Sequence, residues 1–137
     1  MFQEDTFKLD EIAKEISWAK DLGFNSLRVY LHDLLWDEKD QFLIRFNNFL
    51  DCCQSFEIKP IIVLFDDCHY PFPQLGPQPL PIRGIHNSGW KQSPGHKIVT
   101  EIFELKTEKH LKRLQTYTQE LLELYKEDER ILMWDLY

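Results

Sequence analysis

The 137-residue chain is 43% hydrophobic and 28% charged, the composition of a globular domain with enough mass for one core. Its formal charge of −7, with sixteen scattered Lys and Arg against twenty-three Asp and Glu, argues against a nucleic-acid or anionic-membrane partner, because phosphate binding needs a concentrated basic surface. No apolar run approaches the roughly 20 residues of a membrane span, residues 1–5 lack the basic and apolar regions of a signal peptide, and Cys52, Cys53 and Cys68 give neither a disulfide framework nor a CxxC metal pair, so they read as buried or partly buried thiols.

Leu9, Ile12, Ala13, Ile16 and Ala19 recur at helical spacing, and Gly23 follows Leu22 where a left-handed cap would end the helix, so the first predicted element is a helix over about 6–22. Residues 25–31 then alternate, with Leu27, Val29 and Leu31 on one face and Ser26, Arg28 and Tyr30 on the other. This is a strand with a cation in its middle. A second helix follows, with Asp37 as N-cap, Phe42, Phe46, Phe49, Leu50 and Cys53 as its apolar stripe, and an end near Phe56 and Glu57. Residues 59–65 are apolar on both faces, with Pro60 tolerated at the start, which fits a central strand of a parallel sheet.

From Asp66 to about Lys106 no period is sustained, and six of the seven prolines and four of the five glycines fall there. It reads as one long loop region, with room for a short extra strand at 98–103. A third helix is expected from a Thr107 N-cap through Leu111, Leu114, Tyr117, Leu121 and Leu124, and Asp128-Glu129-Arg130 links it to a strand over 131–137. That apolar strand reads as running off the end of the chain with nothing to shield its far side, which predicts a piece of a larger domain.

The order α-β-α-β-loop-α-β implies right-handed βαβ crossovers and leaves two α/β folds, a doubly wound open sheet or part of a (β/α)₈ barrel. Arg28 separates them. An open sheet packed between helices rarely carries a mid-strand guanidinium, whereas charged groups converge in the upper layer of a barrel lumen. The expectation is therefore a partial (β/α)₈ (TIM) barrel, since 137 residues fall short of the roughly 200 to 250 a whole one takes. Unpaired outer strand edges predict a folding defect and non-specific self-association. An independent flavodoxin-like protein is disfavoured, because no phosphate-cradling Gly-rich turn follows a strand.

In a barrel the loops after the strands form the active-site face. Here those loops hold Trp36, Tyr70, Phe72 and Trp90 beside His32, Asp33, Asp66, Asp67, His69, His86, Asn87 and Ser88. Flat aromatic faces beside polar side chains suit a sugar ring, with its apolar C–H faces and hydroxyl rim, and a loop of this length is more often functional or disordered than idle.

Five segments carry a resemblance: Gly23-Phe24-Asn25-Ser26-Leu27-Arg28-Val29, Leu31-His32-Asp33-Leu34-Leu35-Trp36, Val63-Leu64-Phe65-Asp66, His86-Asn87-Ser88-Gly89-Trp90 and Trp134-Asp135-Leu136-Tyr137. Together they resemble a cellulase-like branch of the clan A glycoside hydrolases, the retaining (β/α)₈ enzymes that include family 5. The resemblance implies that the three strands are barrel strands 2 to 4 and that residues 1–137 form a fragment of one catalytic domain with its long active-site loop at about 66–106. It also implies that the acid/base Glu would follow Tyr137 in an Asn-Glu-Pro turn and that the nucleophilic Glu would come from strand 7. Retaining hydrolysis needs both carboxyl groups about 5 to 5.5 Å apart, so the isolated chain is expected to be inactive. Arg28 matches the strand-2 arginine that orients the nucleophile. Asp66, His86, Asn87 and Trp90 match loop positions by motif, which implies substrate-subsite roles, and His32, Asp33, Trp36 and Asp135 join them as substrate-binding or site-supporting candidates. A carbohydrate, a β-glycan or oligosaccharide, is the implied partner, with no cofactor and no metal.

Plainer readings stand beside these. Trp18 and Trp134 read as core residues, and Trp36 and Trp90 as either sugar platforms or loop anchors. Arg28 could be a structural ion pair with Asp66 or Asp135. Asp66, Asp67 and His69 are the donors a metal would take, although capping and loop hydrogen bonds explain them as well. The alternative to a hydrolase fragment is a non-catalytic carbohydrate- or protein-binding α/β module using the sheet edges and the Trp90 loop.

Overall fold

The chain's mixed helix and strand periods resolve, in a computed structural model that describes residues 1–66, 73–77, 80–86, 88, 92–105 and 108–137, into an α/β architecture built on a small parallel sheet. Helix α1 spans Leu9–Asp21 and strand β1 spans Arg28–Tyr30. A 3-10 helix at Asp33–Glu38 leads into α2 at Lys39–Ser55. Strand β2 follows at Ile61–Val63, then α3 at His96–Phe103, α4 at Glu108–Tyr125 and β3 at Met133–Asp135. The three strands lie in the order β1-β2-β3, both pairs parallel, with Val29 opposite Ile62 and Ile62 opposite Trp134. The expectation of a parallel sheet with β2 at its centre holds.

Helix α1 begins at Leu9 rather than near Thr6, because residues 3–7 close a turn in which the Thr6 and Phe7 amides donate to the Gln3 carbonyl. It ends where Gly23 takes a φ of 88°. There the Phe24 amide donates to Ala19 O at 3.0 Å and the Gly23 amide to Lys20 O at 2.9 Å, the paired bonds of a Schellman cap. Helix α2 ends the same way with a non-glycine residue: Glu57 has φ 55°, and the Ile58 amide donates back to Cys53 O at 2.9 Å. Ile58 and Cys53, the two positions whose apolar contact usually accompanies this cap, are both buried in the core.

Alternation sorts the sheet faces. Val29, Ile62 and Trp134 turn toward the helices and join a core with Phe42, Phe46, Phe49 and Leu50 of α2 and Leu121 of α4. Phe2 is the hub of the aromatic part, edge-on to Phe46 at 5.6 Å and to Phe49 at 5.3 Å. Arg45 is buried beside it and donates from Nε to Phe2 O at 2.7 Å, so a charged group inside the core keeps a partner. The opposite sheet face presents Arg28, Tyr30 and Asp135.

Four local expectations are corrected. Asp37 is not the N-cap of α2; it lies inside the 3-10 helix, and Glu38 occupies the cap position without a side-chain hydrogen bond. Residues 98–103 are not a strand but most of α3, where Thr100 Oγ1 back-bonds to His96 O and Glu101 pairs with His110 of α4 at 3.1 Å; tertiary packing overrides the β-branched run. On α4 the buried stripe is Tyr117, Leu121 and Tyr125, while Leu111 and Leu124 face solvent. Trp18 is not core: it is 54% exposed, because Ile12 and Ile16 set the inward face of α1 and residue 18 falls about 200° around the helix from Ile16. Lys14 Nζ sits 5.0 Å over its ring instead. Trp134 does pack against the core, as expected, and the Thr107 cap lies outside the described residues.

Cys53 is buried and Cys52 partly so, both as free thiols, and burial pushes the Cys53 thiol up to about 12. Cys68 lies outside the described residues. No helix among the described residues is long and apolar enough to cross a membrane.

Candidate functional site

Strand β1 and the segments that follow β1 and β2 line a cavity of about 420 Å³. Its walls are apolar at Phe2, Leu31, Leu35 and Leu75, and polar at Arg28, Tyr30, His32, Asp66, Gln74, Gln92 and Ser93. Gln3 helps to fix one side: its side-chain amide exchanges two hydrogen bonds with the Gly76 backbone, at 2.5 and 3.4 Å. On another side the Asp66 amide donates to Ser93 O at 2.8 Å.

Arg28 is the guanidinium at this cavity. Its Nε and Nη2 both donate to Asp135 Oδ2, at 3.0 and 2.6 Å, and its Nη1 donates to the Tyr30 hydroxyl at 2.5 Å. The guanidinium also lies over the Tyr30 ring at 5.0 Å. Asp135 raises its already high pKa, with Tyr30 and Asp66 adding to the effect. The cation is thus permanent and is locally balanced by carboxylates, which suits an uncharged ligand better than an anion.

His32 is held differently. Its Nδ1 accepts from the Leu34 amide at 3.2 Å, and its Nε2 lies 3.1 Å from Gln92 O. These partners select the neutral tautomer with the proton on Nε2. Burial is the main cause lowering its pKa below the ordinary imidazole value, partly opposed by Asp33. With both ring nitrogens committed to backbone, His32 contributes shape to the cavity rather than a free donor.

Asp33 does not reach the cavity. Its side chain is fully buried, accepting from Ser93 Oγ at 2.5 Å, while its own amide donates to Ser93 Oγ at 2.9 Å. Arg113 of α4 meets its other oxygen as an ion pair rather than as an aligned hydrogen bond. The hydroxyl of Tyr117, also buried, has no hydrogen-bond partner among the described residues, and burial together with the Asp33 charge holds it well above the ordinary tyrosine range. This buried group ties α4 and residue 93 to the exit of β1.

Trp36 lies within the 3-10 helix and packs toward α4. Its Nε1 donates to Glu120 Oε2 at 3.0 Å, its ring meets Tyr117 edge-on at 5.6 Å, and Lys39 Nζ covers the ring at 4.7 Å. His86 is exposed and outside the cavity lining. Asn87 and Trp90, with Asp67, His69, Tyr70 and Phe72, lie outside the described residues. Of the sequence-expected site residues, then, Arg28, His32 and Asp66 line one cavity, Asp135 joins them through Arg28, and Asp33 and Trp36 sit behind it as supports.

Tyr30, Gln74, Gln92 and Ser93 line the cavity without having been expected there. Tyr30 had a readable signal, since alternation puts it on the face of Arg28; the others fall in a segment with no period. Among the described residues no group of three or more His, Cys, Asp or Glu side chains is placed to hold a metal ion. Apolar walls around a few fixed polar groups can seat a neutral polar ligand with an apolar face. Comparison of the chain with protein-family models, curated proteins and solved structures gives no match.

Proposed function

We propose that this chain is the strand 2 to strand 4 portion of a (β/α)₈ retaining β-glycan hydrolase, cellulase- or β-mannanase-like, and that its cavity seats part of the sugar. The observation that carries this reading is the Arg28 fork to Asp135 on the sheet face that also opens to Asp66 and Tyr30. A cation reaching from the first residue of β1 to the last residue of β3, beside a half-apolar cavity, is the kind of group a barrel glycosidase uses to bind and orient a sugar next to a carboxylate. The residues here bind and position; the two carboxylates of double displacement are not assigned to any residue of 1–137, so this chain by itself does not turn over substrate.

The test has two arms. Titrating cello- and manno-oligosaccharides against tryptophan fluorescence should give saturable binding that Arg28→Ala abolishes, and a folded chain that binds neither series sinks the sugar reading. Aryl β-glycosides should be left intact, and turnover lost on mutating a residue within 1–137 would contradict the inactivity.

A non-catalytic carbohydrate-binding module is the second reading. What favours it is that three of the guanidinium's donor contacts are already satisfied inside the chain, by Asp135 and Tyr30. Hydrolysis by the full encoded chain supports the hydrolase; saturable binding without hydrolysis supports the module.

A further inference from the structure

We propose that His32 is an acid-sensitive latch on the cavity wall: a proton taken up from solvent at Nδ1 breaks the hydrogen bond from the Leu34 amide, swings the ring toward the Asp33 carboxylate, and frees the first turn of the 3-10 helix Asp33–Glu38. This goes beyond the glycan reading and does not depend on it.

The geometry supplies both positions of the latch. Nδ1 lies 3.2 Å from the Leu34 nitrogen and 3.3 Å from Asp33 Oδ1. Only one of these can be its partner in a given protonation state, since the Leu34 N–H needs a lone pair and the carboxylate needs a proton donor. In the neutral ring Nδ1 caps the 3-10 helix. In the imidazolium, Nδ1–H points at an amide N–H, a repulsive pairing, and Asp33 is the acceptor beside it. That carboxylate is already shared between Ser93 Oγ and Arg113. Protonation therefore strains the same buried group that holds residue 93 and α4 in place.

The charges around the ring set the direction. From its own turn comes Asp33, which favours the proton; from α4, Arg113 opposes it, and the Tyr117 hydroxyl beside Asp33 is neutral. Asp66 and the α-amino group of Met1 belong to the same cavity region, the latter opposing protonation. Segment 92–93 contributes the uncharged Gln92 carbonyl and Ser93 hydroxyl. Burial outweighs Asp33 and lowers the pKa. Stability from the neutral ring is thus complete above the ordinary imidazole value of about 6.5 and is lost as pH falls from there toward the lower folded value. Leu35, which follows the released turn, is 3% exposed and lines the cavity, so the wall loosens with it.

Imidazole ¹⁵N spectra of the full chain should show the Nε2–H tautomer at pH 7 and a protonation midpoint below about 6.5. The Leu34 amide resonance should follow that same midpoint, and its hydrogen exchange, corrected for intrinsic rate, should rise about five- to tenfold across it, the loss of one hydrogen bond. His32→Asn keeps an N-cap acceptor without a titrating group, and should hold the Leu34 signals constant over the same range. A midpoint at or above the ordinary value, a Leu34 amide that does not follow it, or the same pH dependence persisting in His32→Asn overturns the proposal.

Discussion

Arg28 on β1 and Asp135 on β3 are joined across the intervening strand β2, with Nε and Nη2 of the guanidinium converging on the single oxygen Oδ2. The pair spans the whole sheet at the end where the cavity opens, and its other guanidinium nitrogen holds Tyr30. One side chain thus sets the relative positions of three polar groups drawn from two outer strands.

Under the proposed glycan reading, that sharing would make the pair a unit in ligand binding. Arg28→Lys supplies one ammonium where three donor contacts exist, and Asp135→Asn removes the anchor of the fork. Each change should weaken oligosaccharide binding by about tenfold, and the double variant should be little worse than either, because coupled residues are not additive. Fluorescence titration of the three variants reads this directly; additive losses would mean the two residues act separately. The Arg28 side chain is 49% exposed, so melting temperature should fall by no more than a few degrees.

Asp33 is expected to behave in the opposite manner, with a large effect on stability. Asp33→Ala leaves Arg113 and the Ser93 hydroxyl facing a hole where a fully buried carboxylate stood. Breaking one partner of a buried ion pair costs about 3–5 kcal/mol, and because the Arg113 side chain keeps 30% exposure the lower end, roughly 3 kcal/mol, is expected. Urea unfolding monitored by circular dichroism measures it, and a change under about 1 kcal/mol would show that the group is a surface pair in solution.

These two residues mark what the chain discloses before its structure is known. Arg28 announced itself, because alternation fixes its face and a cation on a largely apolar strand has few explanations, although the strand proves shorter than its sequence pattern and Arg28 opens it rather than standing in its middle. The strand order and the stripe of α2 were readable for the same reason, a strong period. Asp33 was legible only as a substrate-binding or site-supporting residue, being a carboxylate just after a strand, and nothing local reveals that Ser93, sixty positions away, and Arg113 will enclose it. Arg113 itself reads as an ordinary surface residue of an amphipathic helix. Helix α3 was missed because a short run containing Ile98, Val99 and Ile102 fits a strand as well as two turns of helix, and only the contact with α4 decides. Trp18 shows the limit of residue type as a guide, since aromatic bulk suggested burial while the phase set by Ile12 and Ile16 turned it outward.

Trp18 and Phe46 therefore form a matched contrast. Phe46 is fully buried and sits against Phe2, Phe42 and Tyr125, so Phe46→Ala should cost about 3–5 kcal/mol. Trp18→Ala, although it removes a larger side chain, should change stability by no more than roughly 0.5 kcal/mol. Chemical denaturation of both variants checks the contrast, and a loss at Trp18 comparable to that at Phe46 would mean that α1 is covered on its outer side in solution.

The last prediction concerns acid. Asp128 accepts from Arg130 Nε at 2.9 Å, from its Nη2 at 2.5 Å and from its backbone amide at 3.0 Å, and the same guanidinium reaches Asn47 and Asp51 of α2. This cluster clamps the link before β3 onto α2. The Arg130 hydrogen bonds hold the Asp128 carboxyl below its usual range, so the folded state binds fewer protons there than the unfolded state. Its contribution is complete above the unfolded carboxylate value of about 3.9 and disappears as pH falls through the lower folded value. Asp128→Asn should lower stability at pH 7 by about 1–2 kcal/mol, the order of a hydrogen-bonded, partly screened charged group. It should also flatten the wild-type decline on the acid side of pH 4. Thermal melts of both proteins between pH 7 and pH 2.5 measure the difference, which must shrink toward the acid end; a constant gap at every pH would show that the lost term is packing and not charge.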